Sequence, residues 1–301
     1  MVLLAKMIMT GYCSHKIIIA LYNSSMDYRQ SREYGKYMKL LGWETEKLST
    51  CQAYVKKLGP VSLIKIQRPD NFDPKEILDL HRRRRSLHTR IDLLSEVKNL
   101  HRAEPHLPSR QLFIDLSKPE VELLRDMNYE RRRSLEKANK NGLSLEVVHS
   151  NDLNLLNLLN SFVFFWQKEA KIRGDWFYNT REVPAVFQAF SPNAYLINVY
   201  KKGVKTPLSS ALFISSTDTF IYLFAATTNE GRFWYASTYL LWQAILFAKK
   251  LGFKKFDMGS LYDKRVPEMW KSWQGFSHFK KGFGGYEVEY PTYCLRLGLP
   301  L

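Results

Sequence analysis

Ala248-Lys249-Lys250-Leu251-Gly252-Phe253-Lys254-Lys255-Phe256-Asp257-Met258-Gly259 joins a helix-like segment to a strand-like one. The segment from Trp234 to Lys250 has the apolar periodicity of a helix, and Phe253 to Gly259 reads as a strand. Upstream lie Tyr195 to Tyr200 and Leu208 to Ser215, two strands joined through Lys202-Gly203, and then Thr219 to Ala225, a third. Before them, Asp152 to Lys171 reads as a helix with a broad apolar face. The order helix, three strands, helix, strand predicts a mixed α/β sheet. Downstream come Trp270-Lys271-Ser272-Trp273 and Phe279-Lys280-Lys281-Gly282-Phe283-Gly284-Gly285. Lysines beside a glycine-rich turn suit a phosphate-bearing ligand, because Lys supplies charge and Gly lets backbone N–H groups approach an anion. The plain alternative is an ordinary turn between strands with solvated lysines.

The first half reads in the same way. Lys16 to Tyr22 is a strand, and Tyr28 to Leu41 a helix ended by Gly42. Gln52 to Lys57 and Val61 to Gln67 form a hairpin around Gly59-Pro60. Asp73 caps a helix with Pro74 at its first position, running into the His81 to Arg85 cluster. Gln111 to Leu116 is a strand. Ser117 then caps one helix that runs through Arg131-Arg132-Arg133 to about Lys140, before a strand from Leu143 to Val148. The expected organisation is an N-terminal lobe over 1–148, a C-terminal lobe over 149–285, and a tail over 286–301 that packs back on the lobes.

Composition narrows the partners. The chain has 301 residues, 45% of them hydrophobic and 14% aromatic, enough for a real core. Lys and Arg number 45 against 29 Asp and Glu, a net charge of +16, which favours a polyanionic partner: nucleic acid, an anionic membrane face or a phosphorylated substrate. Cys13, Cys51 and Cys294 lie far apart, and the seven histidines show no metal-ligand spacing. Neither a metal nor a disulfide framework is expected, and a reducing, cytoplasmic compartment fits. Met1 to Cys13 reads as a poor signal peptide, with Met7 and Met9 as alternative starts, and no run approaches the ~18 apolar residues of a membrane span.

Motifs in order along the chain carry a resemblance. Leu112-Phe113-Ile114-Asp115-Leu116-Ser117, the helix with Arg131-Arg132-Arg133, and Glu136-Lys137-Ala138-Asn139-Lys140-Asn141-Gly142-Leu143 are followed by Tyr235-Ala236-Ser237 and Leu240-Leu241-Trp242-Gln243-Ala244-Ile245. Ala248 to Gly252, Phe256-Asp257-Met258-Gly259 and the Phe279 to Gly285 heptad complete the series, with Gln30-Ser31 and Gly42-Trp43 as a looser opening. This series resembles the FemABX family of peptidoglycan interpeptide-bridge aminoacyltransferases. The resemblance implies two acetyltransferase-like (GNAT-like) lobes, each a mixed β-sheet flanked by helices. The stretch between the Asp152 to Lys171 helix and Tyr195 leaves no room for the coiled-coil arm of some members.

What the resemblance implies about activity is transfer of an amino acid from aminoacyl-tRNA to an amine on the stem peptide of a nucleotide- or lipid-linked cell-wall precursor. No cofactor, metal or DNA is implied. Both substrates carry phosphates, which a +16 chain attracts, and a lipid-linked precursor would add peripheral contact with the inner membrane face. The donor ester is already activated, so catalysis can rest on positioning and electrostatics. By match to the family, Lys280 stabilises an oxyanion or phosphate with Lys281 assisting, beside Phe279 of the same signature. Asp257, at a strand end, orients the acceptor amine or accepts its proton, with a structural cap or turn role as the plain alternative. Lys36 and Arg232 contact the precursor's diphosphate, and Tyr262 lies in the same cleft. Arg82 and Arg83, with Arg131, Arg132 and Arg133, grip RNA phosphates; solvated helix faces are the plain alternative. Ser260 stands where many relatives carry a second Gly. Two other functions compete: an acyl-CoA-dependent N-acyltransferase, against which stands the lack of a Gln/Arg-x-x-Gly-x-Gly/Ala loop, and a non-catalytic RNA-binding protein.

Overall fold

The computed structural model describes residues 26–97, 102–150, 152, 154–172, 179–269 and 271–298. The Lys16 to Tyr22 strand and the Met1 to Cys13 segment lie outside the described residues. Two compact units emerge. One takes 26–110, Asp263–Met269 and 289–298; the other takes Gln111–Tyr262 and 271–288. The expected boundary near Val148 therefore falls inside a unit. The cause is strand pairing: the strand at Arg110–Asp115 and the strand at Leu143–Val148 belong to the same seven-stranded sheet.

The first unit holds six strands: β1 (Glu44–Lys47), β2 (Gln52–Leu58), β3 (Val61–Gln67), β4 (Ser86–Asp92), β5 (Arg102–Ala103) and β13 (Cys294–Gly298), in the order β1-β2-β3-β4-β13-β5. Helix α1 (Arg32–Leu40) packs against β1 and β2, and α2 (Pro74–Arg83) against β4. Asp73 caps α2 as the sequence predicts, its carboxylate accepting Lys75 N–H at 2.8 Å with Pro74 in the first turn. The β2–β3 hairpin turns at Gly59-Pro60 with Leu58 opposite Val61. Val55, Ile64, Ile66, Ile77, Leu80 and Ile91 form its apolar core. β4 is parallel to β3 and was not legible in the sequence, its Ser86–Asp92 stretch alternating charged and apolar residues behind a basic cluster.

The second unit holds β6 (Arg110–Asp115), β7 (Leu143–Val148), β8 (Ala194–Lys201), β9 (Ser209–Ser216), β10 (Thr219–Thr227), β11 (Lys255–Ser260) and β12 (Tyr286–Glu289). Their order is β12-β6-β11-β10-β9-β8-β7. Its helices are α3 (Glu120–Asp126), α4 (Tyr129–Lys140), α5 (Leu155–Ile172), α6 (Glu182–Phe190), α7 (Asn229–Phe233), α8 (Ala236–Lys250) and α9 (Gln274–Lys281). Seven of the eight β9 residues are buried, so both faces of the sheet are covered at its centre. Leu240, Leu241, Ala244, Ile245 and Ala248 bring α8 onto Ala211, Phe213, Phe220 and Phe256. Mixed sheets flanked by helices match the expected fold class, and among the described residues no coiled-coil arm is present.

Three local expectations change. The single helix predicted from Ser117 to Lys140 is two, broken at Met127. Asn128 starts the second by accepting Arg131 N–H through its side chain, while its own N–H donates to Gly282 O at 3.0 Å. Ser117 bonds Asp115 rather than capping a helix. The tail contributes strands to both sheets, β12 beside β6 and β13 between β4 and β5.

Candidate functional site

β10 and β11 pair in parallel, and their ladder is short: Thr219 with Lys255, Phe220 with Phe256 and Ile221 with Asp257. Past that point both strands carry an irregularity. The register of β10 with β9 shifts between Tyr222 and Phe224, and that of β11 with β6 shifts between Asp257 and Gly259. Bulges re-aim side chains and end pairing. Here they create a place at the ladder end where a side chain from elsewhere enters.

That side chain is Lys280. It stands on α9, whose Phe279–Lys281 residues are helical rather than part of a turn between strands. The Lys280 Nζ donates to Ser260 O at 3.1 Å and lies 5.6 Å from the centre of the Tyr222 ring and 5.0 Å from that of Phe276. Gly259 adopts φ +79°, and a Cβ there would sit 3.3 Å from the Nζ. Burial pushes the Lys280 ammonium down to about 8, and the Asp257 carboxylate pulls partly the other way. At neutral pH Lys280 is thus a half-buried cation with a lowered hold on its proton, flanked by two aromatic rings and one carbonyl.

Asp257 lies inside β11 rather than at its end and is 3% exposed. Its Oδ1 accepts the Gly259 N–H at 2.7 Å and its Oδ2 the side-chain amide of Gln111. Lys281 points elsewhere, pairing with Glu287 at 2.7 Å on the exposed surface. The glycine-rich heptad does not form an anion cradle. The N–H groups of Gly282, Phe283 and Gly284 donate to the carbonyls of His278, Lys280 and Lys281, closing α9. A Cβ on Gly285 would lie 2.2 Å from Phe113 O, so that glycine serves a close backbone approach to β6.

Phe279 packs on Phe283, and the Arg131 guanidinium lies 4.7 Å from the Phe279 ring centre while donating to Thr238 Oγ1. Burial lowers the proton affinity of Arg131. Arg132 donates to the carbonyls of Arg125 and Met127, holding the α3–α4 break. Only Arg133 of the three projects as an exposed cation. Tyr262 is half-buried just past β11, its N–H bonded to Ser277 Oγ at 2.7 Å, which ties the strand exit to α9. Arg232 bonds Thr227 O, Asn229 and the buried Glu169. Lys36, Arg82 and Arg83 belong to the other unit: Lys36 is on the exposed face of α1, Arg82 pairs with Asp79, and Arg83 with Glu46.

Two adjoining grooves flank Tyr235, which holds the left-handed φ of +58° before α8. One, of about 310 Å³, is lined by Arg131, Arg133, Lys137 and Tyr129. The other, of about 490 Å³, is lined by Lys137, Lys140, Arg232, Phe233 and Trp234. Cations and aromatic rings in one groove suit phosphates and stacked bases. The sequence reading did not single out Lys137, Tyr235, Tyr222 or Gln111 as site residues, because their roles depend on contacts between segments far apart in the chain.

Residues 193–292 match the profile of the FemAB family. This stretch, which holds β10, β11 and α9, is of the FemAB family. None of the curated proteins matches the sequence. Among solved structures, FemX is similar over 98% of this chain and 95% of its own, with a TM-score of 0.70 at 16% identity. The C-terminal domain of a putative lysylphosphatidylglycerol synthetase from Agrobacterium fabrum is similar over 89% of this chain and 88% of its own, with a TM-score of 0.60 at 12% identity. A tandem GNAT protein from the clavulanic acid pathway is similar over 97% and 93%, with a TM-score of 0.51 at 8% identity. The fold is thus the GNAT-like fold that the FemABX resemblance implies.

Proposed function

We propose that this FemAB-family protein is an aminoacyltransferase that moves an amino acid from aminoacyl-tRNA to an amine on the stem peptide of a peptidoglycan precursor. The observation that carries this reading is the half-buried Lys280 ammonium bonded to Ser260 O at the end of β11, the strand that also carries the buried Asp257. An acceptor amine attacks the ester carbonyl of the donor and a tetrahedral oxyanion forms. A new C–N bond is made, the C–O bond to the ribose breaks, and the amine's proton ends on the released hydroxyl. A cation fixed in a water-poor site stabilises that oxyanion far more than one in water. Asp257 keeps the Lys280 proton in place and is the group toward which an acceptor ammonium is drawn.

The grooves around Tyr235 supply the donor's contacts, with Arg131, Arg133, Lys137 and Lys140 facing phosphates and Trp234 and Tyr235 offering ring faces. Arg232, at the rim of the larger groove, is proposed for the diphosphate of the precursor, and Tyr262 for the acceptor side of the same reaction. Lys281, engaged with Glu287, assists only at the periphery. Among the described residues no helix is long and apolar enough to cross a membrane, and the reaction is placed in the cytoplasm, where charged tRNA and the precursor meet.

The test is transfer of label from a pool of aminoacyl-tRNAs to a nucleotide- or lipid-linked muropeptide. Arms with acyl-CoA as donor and with phosphatidylglycerol vesicles as acceptor read out the competing chemistries. Ribonuclease-sensitive transfer to the muropeptide supports the proposal, and label arriving from acyl-CoA or on the lipid overturns it.

A further inference from the structure

Several elements of the first unit finish at one end of its sheet. The β2–β3 hairpin turns there with Leu58 opposite Val61, β4 starts there with Ser86 opposite Ser62, and β13 leaves there with Gly298 opposite His88. α1 reaches the same end through Leu41 and Gly42, whose carbonyls accept from the Lys56 Nζ, and Glu44 then pairs in register with Val55. α2 finishes there too, because Arg84 and Arg85 lead straight into β4. The run Arg82-Arg83-Arg84-Arg85 is therefore built onto the sheet end. Arg84 turns inward and anchors it: its guanidinium pairs with Glu44 at 3.0 Å and with Glu46, and its carbonyl accepts the Ser62 hydroxyl at 2.8 Å.

What faces outward at this end is basic and aliphatic together. Lys39, Lys57, Arg82, Arg83 and Arg85 are exposed. Lys57 pairs with Glu44, Arg82 with Asp79 and Arg83 with Glu46, all at the surface, where such pairs are weak. Among the described residues no carboxylate pairs with Lys39 or Arg85. Leu40 and Leu58 are 44% exposed and Leu87 is 40% exposed, one each on α1, the hairpin and β4, and each lies within two residues of an exposed cation. Cations in the last turn of a helix offset its dipole, which accounts for Arg82 and Arg83. It does not account for Arg85 beyond the helix, for Lys57 on the hairpin or for the leucines. A single exposed leucine needs no explanation, but three on one sheet end among cations form a mixed surface.

We propose that this end of the first unit docks on an anionic lipid bilayer. Its cations meet the headgroup phosphates, and Leu40, Leu58 and Leu87 enter the boundary with the acyl chains. Lys and Arg near a negative membrane surface add their attractions, and apolar side chains that enter the interface add burial, so two partial signals combine. RNA is the polyanion that fits less well. It is held by ring faces set beside cations, and the Trp43 ring at this end already carries Lys65 at 4.4 Å and Lys56 at 6.0 Å. Arg82 and Arg83 thus gain a partner other than the aminoacyl-tRNA. The inference goes beyond the transfer reading and does not involve Lys280. It brings the protein to the surface on which a lipid-linked precursor lies.

The experiment is co-sedimentation of the full chain with vesicles of phosphatidylcholine and phosphatidylglycerol in equal parts, beside vesicles of phosphatidylcholine alone. It compares wild type with a charge variant, Arg82→Gln with Arg83→Gln and Arg85→Gln, and with an apolar variant, Leu58→Asn with Leu87→Asn. Each is checked for folding by circular dichroism. The expected result is binding of wild type to the mixed vesicles and not to phosphatidylcholine alone, weakening as salt is raised. The charge variant loses about tenfold or more in affinity. The apolar variant, at unchanged charge, loses about threefold or more. Wild type that stays off the mixed vesicles, or a folded variant of either kind that binds them like wild type, overturns the proposal. A charge variant that keeps the vesicles and loses uncharged tRNA marks the surface as RNA-facing and overturns it as well. If the apolar variant fails to fold, the charge variant decides alone. The vesicles carry no precursor and no donor, so failure of docking and failure of aminoacyl transfer are read separately.

Discussion

The carboxylate of Asp257 accepts the backbone N–H of Gly259, two residues along the same strand, at 2.7 Å. This short loop of bonding accompanies the β11 irregularity and puts Gly259 at φ +79°, a conformation that costs an L-residue with a Cβ roughly 1 kcal/mol or more. A Cβ at this position would also press on the Lys280 Nζ at 3.3 Å and on Tyr222 O at 3.4 Å. Gly259→Ala is therefore expected to lower stability by about 1–2 kcal/mol. It should also reduce transfer more than that loss of folded protein explains, because the added methyl displaces the ammonium. Chemical denaturation beside a rate measurement on the folded fraction checks it.

Lys280 links the site to pH. In the unfolded chain it keeps its proton up to the ordinary lysine value, whereas burial makes the folded chain release it near pH 8. Between those two values the unfolded state binds more protons, so this residue's contribution to stability rises with pH. The melting temperature of wild type relative to Lys280→Met should climb from pH 8 to pH 10, and the transfer rate should fall over the same range as the cation is lost. A wild-type-minus-mutant difference that is flat over that range contradicts the burial argument.

Asp263 behaves oppositely, in the first unit. It is fully buried, which raises its carboxyl, yet hydrogen bonds from Arg265 and from Ser109 outweigh burial and bring it to about 2. Its stabilisation is complete above the ordinary carboxylate range and is lost as pH falls toward 2. Arg265 is partly exposed, which weakens the pair. Asp263→Asn should cost about 1–2 kcal/mol at pH 7 and progressively less as the medium is acidified from pH 4. Urea unfolding at both pH values measures it.

The grooves beside Tyr235 make a prediction about salt. If Lys137 and Lys140 meet RNA phosphates, neutralising both as Lys137→Gln and Lys140→Gln should weaken tRNA binding. It should also reduce the slope of log affinity against log salt by about 0.7–0.9 for each phosphate left without its lysine. Arg82→Gln and Arg83→Gln, whose parent residues pair with Asp79 and Glu46, should leave that slope nearly unchanged. A slope that drops for the second pair and not the first reverses the assignment of the cationic surface.

Local signals carried much of the fold. Asp73-Pro74 announced α2, Gly59-Pro60 the β2–β3 turn, and the strand and helix periods around β8 to β11 the second sheet. Pairings across long stretches of chain escaped. β4 hides between charges, α6 (Glu182–Phe190) is apolar nearly all round, and β13 (Cys294–Gly298) joins a sheet whose other strands end at Ala103 or before. In the site, Lys280 and Asp257 were singled out because they sit in ordered motifs, and their roles belong to the proposal. The phosphate reading of the heptad glycines was not upheld because a sequence shows a glycine's freedom and not which carbonyl its N–H meets. Gln111 is separated from Asp257 by 146 positions, and only the β6–β11 register brings them together.

The most direct test of the central claim is transfer of a labelled amino acid from aminoacyl-tRNA to a muropeptide acceptor by wild type and by Lys280→Ala, with folding of the variant verified. The account predicts ribonuclease-sensitive transfer by wild type and a loss of about 100-fold or more in the variant, the scale of removing one oxyanion-stabilising donor. Transfer by Lys280→Ala at the wild-type rate would contradict it.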